Sequence, residues 1–192
     1  MPAAGQQDVP GDDALMTLAA AGHQHAYVRL VERYELRIRG FCRMLTRDET
    51  LAYDLAQEVF LKIWKRREQY RPEGRFKEYL FTVARNECRS MQRKRAVLDF
   101  FGLSPNLEQL ASAQAAALVE PADDDQERLQ LLGAALTRLP EKFRVPLTLR
   151  FVEGLDYAEI ARVIDRTEST ARSRIFYGLK QLAALIPAEV MS

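Results

Sequence analysis

Ser169, Thr170, Arg172, Ser173, Arg174, Tyr177 and Lys180 crowd into one short run of the chain. They supply hydroxyl, guanidinium, phenol and ammonium donors with no nucleophile–base constellation among them. The chemistry they suit is recognition: such groups donate to phosphates and base edges, and an Arg can pair with guanine in the major groove. A second group reads similarly. Arg85, Asn86, Arg89 and Arg93 share a helical face, with Thr82 on it and Ser90 at its edge. Tyr70, Arg71 and Arg75 precede them in a polar stretch, and Tyr70, Phe76, Tyr79 and Phe81 interleave aromatic rings. Basic residues among aromatics suit single-stranded DNA, because every base offers a face for stacking. A loop beside such a helix also suits capture of a base swung out of the duplex. Core packing is the competing use of Phe76, Tyr79 and Phe81. A third group is acidic. Asp54, Glu58, Leu61 and Lys65, with Gln57 beside them, lie on one side of a helical stretch, an arrangement that fits docking to a basic protein or simply an amphipathic surface.

Helices must carry these groups. At ~100° per residue, Ala52, Tyr53, Ala56, Val59, Phe60 and Ile63 form the inward face opposite the acidic group. The basic stripe lies on a helix from about Phe76 to Arg95, with Leu80, Val83, Ala84 and Met91 inward. Asp156-Tyr-Ala-Glu159 is a capping box and starts a helix that buries Ile160, Ala161 and Ile164. Asp165-Arg166-Thr167 breaks it, and Thr167 caps a second helix with Ala171, Ile175 and Leu179 inward. Two short capped helices, a tight turn and the small Ala161 at their crossing make a helix-turn-helix over roughly 155–182. A plain helical hairpin with a basic face gives the same pattern less fully. Gly178 inside the second helix costs ~1 kcal/mol relative to Ala, and Pro146 is expected to kink the helix before Gly154.

Charge divides the 192 residues. Residues 62–95 hold 12 bases and 4 acids, and residues 96–127 hold 7 acids and no base. Two basic blocks separated by an acidic one predict two polyanion-binding modules on a tether. The expected class is all-α: two small helical domains over 24–96 and 128–186, a flexible acidic linker over 97–127 with a weak helix near 107–118, a flexible N-terminus over 1–23, and a tail over 187–192. Hydrophobic residues make up 47 %, enough for packed cores. No apolar run approaches a membrane span, and Asp8, Asp12 and Asp13 replace the basic start of an export signal, so a cytoplasmic protein without membrane insertion is expected. Cys42 and Cys88 lack metal-site spacing and read as small buried hydrophobes, and His23 and His25 are too few for a site. No metal, cofactor or catalytic activity is expected.

Two segments resemble a known family. Asp54-Leu-Ala-Gln-Glu-Val-Phe-Leu-Lys-Ile-Trp64, followed by Phe76-Lys-Glu-Tyr-Leu-Phe-Thr-Val-Ala-Arg-Asn86, resembles region 2 of bacterial sigma factors. Leu139-Pro-Glu-Lys-Phe-Arg144, Leu149 to Ala161 and Ser169-Thr-Ala-Arg-Ser-Arg174 resemble region 4. Nothing resembles the extra regions of primary sigma factors, so the chain is similar to the compact extracytoplasmic-function (ECF) group. The resemblance implies that Asp54, Gln57, Glu58 and Leu61 meet the clamp helices of the largest RNA polymerase subunit. It implies that Tyr70, Arg71, Arg75, Arg85, Asn86, Arg89 and Arg93 recognise and open the −10 element. Thr167, Ser169, Thr170, Arg172, Ser173, Arg174, Tyr177 and Lys180 would read the −35 element. The acidic linker would thread basic channels of the polymerase, and an anti-sigma factor is the implied regulator.

The sequence departs from the family pattern at Tyr79, Asp156, Asp165 and Ala171, where Trp, Ser, Gly and Val are common. A stand-alone helix-turn-helix regulator is the alternative. The acidic docking helix and the aromatic-basic block weigh against it.

Overall fold

The computed structural model describes residues 10–100 and 124–186, with the backbone alone over 124–130. Among these residues every regular element is helical. The first module holds α1 (Asp12–Ala20), α2 (Gln24–Thr46), α3 (Glu49–Lys65), a 3-10 turn (Arg67–Gln69) and α4 (Phe76–Phe100). The second holds α5 (Asp124–Arg138), α6 (Glu141–Phe151), α7 (Tyr157–Ile164) and α8 (Glu168–Ala183).

The first core forms where α2, α3 and α4 turn their apolar stripes together. Ile38, Phe41 and Cys42 of α2, Val59 and Ile63 of α3, and Leu80, Phe81 and Cys88 of α4 are all buried. The Phe41 and Phe81 rings meet edge-on with centroids 5.1 Å apart, a favoured aromatic geometry. Asp48 starts α3 by accepting the Leu51 N–H at 2.9 Å. The inward arc of α3 is centred on Leu55, Val59 and Ile63, so Leu55 is buried and Tyr53, expected inside, is 45 % exposed.

The N-terminal stretch is not uniformly flexible. Residues 1–9 lie outside the described region, but Asp12–Ala20 is a helix that buries Leu15, Met16 and Ala19 against α2. Asp12 and Asp13 sit in its first turn, where the helix dipole favours acids. Helices also reach into both ends of the span expected of the linker. α4 runs on to Phe100 and α5 begins at Asp124, while the expected weak helix near 107–118 lies outside the described residues.

In the second module α6 continues through Pro146. Gly154, at φ 70°, makes the left-handed turn after α6 that its lack of a side chain permits. The capping box forms as its spacing requires: Asp156 accepts the Glu159 N–H at 2.7 Å, and Glu159 accepts the Asp156 N–H at 2.5 Å. Asp165 ends α7 at φ 54°, a left-handed position that Asp tolerates better than most residues. α8 then buries Ala171, Ile175, Gly178 and Leu182. Leu179, expected inside, is 42 % exposed, because Gly178 takes its place against α6.

Candidate functional site

On α3, Asp54, Gln57, Glu58 and Leu61 all lie on the exposed surface. Leu61 is 48 % exposed and borders an apolar groove of about 480 Å³ between α2 and α3. Tyr27, Val28, Val31, Tyr53 and Phe60 also line this groove. The α2 contribution was not read from the sequence, although Tyr27, Val28 and Val31 form a short apolar cluster there. The polar residues of this slot are Gln24, Glu35, Arg39 and Gln57, and its apolar floor fits a helix that is apolar on one side.

The loop after α3 is held from the N-terminus. Asp13 accepts the Tyr70 phenol hydrogen through Oδ1 and the Gly74 N–H through Oδ2. The Tyr70 ring packs on Phe76 and Tyr79, with centroids 5.9 and 5.5 Å away. Burial and the Asp13 bond push the Tyr70 phenol well above its ordinary pKa, so it remains a neutral donor. Phe76 and Phe81 are buried and serve the core, while Tyr79 is half-buried. Arg71 and Arg75 are exposed, and Arg75 Nη1 faces Glu73 at 3.3 Å.

Along α4, Asn86, Arg89 and Arg93 are exposed. Arg85 is not: it is only 7 % exposed, and its Nη1 donates to the Val163 carbonyl of α7 at 3.2 Å. Burial, then the neighbouring Arg89 charge, lowers its pKa from the usual arginine range. Arg89 Nε faces Glu141 of α6 at 3.4 Å.

On the helix-turn-helix, Thr167 accepts the Thr170 N–H at 3.2 Å and shares a hydroxyl contact with Thr170 at 2.9 Å. Ser169, Arg172, Ser173, Tyr177 and Lys180 are exposed together. The Arg172 guanidinium is held by Glu168 at 2.5 Å and stacks over the Tyr157 ring at 4.2 Å. Arg174 departs from the expected face. Two residues beyond Arg172 it has turned ~200° around the helix, and it is half-buried on the flank turned toward Arg85 and Arg89. Phe176, 65 % exposed beside Tyr177, joins the outer surface and was not singled out by sequence.

Cys42 and Cys88 are both fully buried. Contact with Cys42, then burial, raises the Cys88 pKa, so that thiol stays protonated and unreactive. No helix among the described residues is long and apolar enough to cross a membrane.

Comparison with known proteins follows this division. The Sigma-70 region 2 family model matches residues 30–97, and the Sigma-70, region 4 model matches residues 129–182. The chain is 32 % identical over 165 residues to the RNA polymerase sigma factor CarQ of Myxococcus xanthus, covering 86 % of this chain and 91 % of that one. It is 30 % identical over 177 residues to the ECF RNA polymerase sigma-E factor of Haemophilus influenzae, covering 86 % and 89 %. Among solved structures, the sigma factor RpoE bound to the anti-sigma factor NepR from Bartonella quintana aligns with a TM-score of 0.67 at 25 % identity, covering 83 % and 95 %.

Proposed function

The chain belongs to the extracytoplasmic-function sigma factors of the sigma-70 family, and from that premise we propose how its surfaces divide the work of initiation. As an ECF sigma factor it binds RNA polymerase core and directs it to particular promoters. Asp54, Gln57, Glu58 and Leu61, extended by the α2–α3 groove, dock on the clamp helices of the largest subunit. Tyr70, Arg71, Arg75, Asn86, Arg89 and Arg93 meet the −10 element and its opened strand, and Arg85 joins them once α4 is clear of α7. Ser169, Arg172, Ser173, Tyr177 and Lys180 read the −35 element, with Thr167 and Thr170 positioning the start of the helix.

No bond is made or broken in this role. Strand opening draws on binding free energy, through phosphate contacts and stacking of released bases. The observation that carries the reading is the apolar groove with Leu61 exposed beside three polar side chains, which a regulator acting on duplex DNA alone has no use for. An anti-sigma factor is the expected inhibitor, because RpoE, a relative in fold and sequence, was solved with one.

In vitro transcription from a promoter library with core polymerase tests the whole. Initiation at a defined promoter class only when the chain is present is the expected result. Sequence-specific binding to duplex without polymerase, and no stimulated transcription, would return the reading to a stand-alone regulator.

A further inference from the structure

Two acids of α4 that could balance its arginines are engaged elsewhere. Arg162 of α7 grips the buried Glu78 carboxylate with two donors, Nε to Oε2 and Nη2 to Oε1, the latter at 2.8 Å. Glu87 pairs with Lys62 of α3. Further along α4 lies a cleft of about 260 Å³. Arg85 and Arg89 of α4 line it from the first module. Lys142 of α6, Arg166 of the turn before α8 and Arg174 of α8 line it from the second. Five cations thus share the lining with a single acid, Glu141.

Little inside the protein answers that charge. Arg85, only 7 % exposed, donates from Nη1 to the Val163 carbonyl at 3.2 Å. Arg89, Arg166 and Arg174 all press on it electrostatically, and Glu141 alone relieves it. Glu141 itself is turned to Arg89 Nε at 3.4 Å. Arg166 has the Asp165 carbonyl and, at 3.9 Å, the carboxylate of that same residue, which stands almost wholly in solvent. Among the described residues the Arg174 and Lys142 side chains have neither a hydrogen bond nor an ion pair. Buried cations without counter-charge are costly, and an anion among them removes that cost. Val145 and Ile164 give the cleft a buried apolar floor, which strengthens the attraction of the cations for an anion. The first turn of α6 adds to it. Its N-cap is Pro140, which supplies no capping side chain, and Glu141 and Lys142 of that turn line the cleft.

We propose that this cleft binds a short condensed phosphate, either a free pyrophosphate or triphosphate or the phosphate tail of a nucleotide. Such a chain puts several negative charges within reach of cations from both modules at once, and its oxygens accept the forked donors of arginine. Size selects against a larger guest. The cleft is smaller than the ~300–1,000 Å³ usual for a drug-sized ligand, so a sugar and base stay outside it. A nucleic-acid strand fits less well, because it spreads single phosphates along a backbone instead of concentrating them. Arg85 and Arg89 carry a second role here, while Lys142 and Arg166 have no part in the contacts proposed for DNA or polymerase.

The test uses the full chain, without polymerase or DNA, in buffer free of divalent cations. Isothermal titration calorimetry with sodium tripolyphosphate at fixed ionic strength is expected to give one site per chain, at least about tenfold tighter than orthophosphate. ATP distinguishes the sources. Affinity equal to that of tripolyphosphate upholds the site for nucleotide tails as well, and no binding of ATP upholds it for the free chain alone. Lys142→Gln and Arg166→Gln should each weaken tripolyphosphate about fivefold, and Glu141→Gln should tighten it by a similar factor, because it frees Arg89. Arg29→Gln removes an exposed cation of α2 and should leave binding as it was. Lys142 and Arg166 are exposed, so both variants are expected to keep the wild-type helical circular dichroism spectrum. Tripolyphosphate held no tighter than orthophosphate overturns the proposal, and so does a loss at Arg29→Gln equal to that at Arg166→Gln. Promoter-specific transcription with core polymerase is a separate measurement, so this site and the sigma-factor reading can each fail alone.

Discussion

Asp13 and Tyr70 are joined by a hydrogen bond across 57 positions of sequence, and the same carboxylate also takes the Gly74 N–H. A residue of the first helical turn thus fixes both ends of the loop proposed to capture −10 bases. Asp13→Ala should lower the stability of the first module by about 2 kcal/mol, the usual worth of a hydrogen bond to a charged group. Hydrogen exchange at residues 70–75 should accelerate. Urea unfolding and exchange indistinguishable from wild type would remove the clamp.

Polymerase docking should respond to charge more than to fold. Glu58→Arg places a cation on an exposed site of α3, on the face proposed to meet a basic partner. Co-purification with core polymerase is expected to fall by roughly tenfold or more, because like charges across an interface are strongly unfavourable. The melting temperature should hold. Full retention on core would move the docking face elsewhere.

Melting should depend on the exposed half of α4. Arg89→Ala with Arg93→Ala is expected to reduce permanganate reactivity of bubble thymines. If each arginine meets one phosphate of the open strand, the salt dependence of binding should lose about 1.4 units of slope. Wild-type reactivity and slope would exclude both residues from the opened strand.

Arg172 is presented in advance of binding. Glu168 and the Tyr157 ring hold its guanidinium near the start of α8, the proposed recognition helix, which would lower the entropy cost of using it. Arg172→Ala should cost about 1–3 kcal/mol of discrimination at one base pair of the upstream element. A footprint over −35 with unaltered sequence preference would limit it to a surface role.

Gly178→Ala should run against helix propensity. The substitution ordinarily gains up to ~1 kcal/mol in a helix. Here the added Cβ would stand 3.0 Å from Leu147 Cδ1 and 3.2 Å from Phe143 Cβ. Leu147 can shift its methyl, but Phe143 Cβ moves only with the α6 backbone. A net loss of about 1–2 kcal/mol is expected from overpacking, read as a lower melting temperature. A more stable variant would show that α6 yields.

Short-range features were legible from sequence because their causes are local. The Asp156–Glu159 capping box, the Thr167 cap and the exposed acidic side of α3 follow from residues within one helical turn of each other. What escaped depends on distant partners. Glu78 and Arg162 are 84 positions apart, and no pattern within α4 distinguishes a carboxylate gripped by another module from a solvated one. Arg85 has the spacing of a free DNA contact and is covered all the same. Composition likewise placed α1 in a flexible terminus, since three acids and no base over residues 1–27 say little about a helix whose stability comes from Leu15, Met16 and Ala19 settling on α2. The outward placement of Arg174 failed because a reading face narrower than half a helix excludes every second neighbour.

The close approach at Gly178 also bears on what aims α8, the proposed recognition helix. The turn at Asp165 joins α7 to α8 at one end, and the stack of Arg172 on Tyr157 ties the two helices again beyond it. Phe143 and Leu147 of α6 leave no room for a side chain at Gly178, about two thirds of the way along α8. The direction in which Ser169, Arg172 and Ser173 point therefore depends on α6 as well as on α7. Variation in the size of side chains on α6 would steer the reading head without altering any residue that touches a base, a route by which related factors can drift in promoter geometry while keeping the same letters on α8.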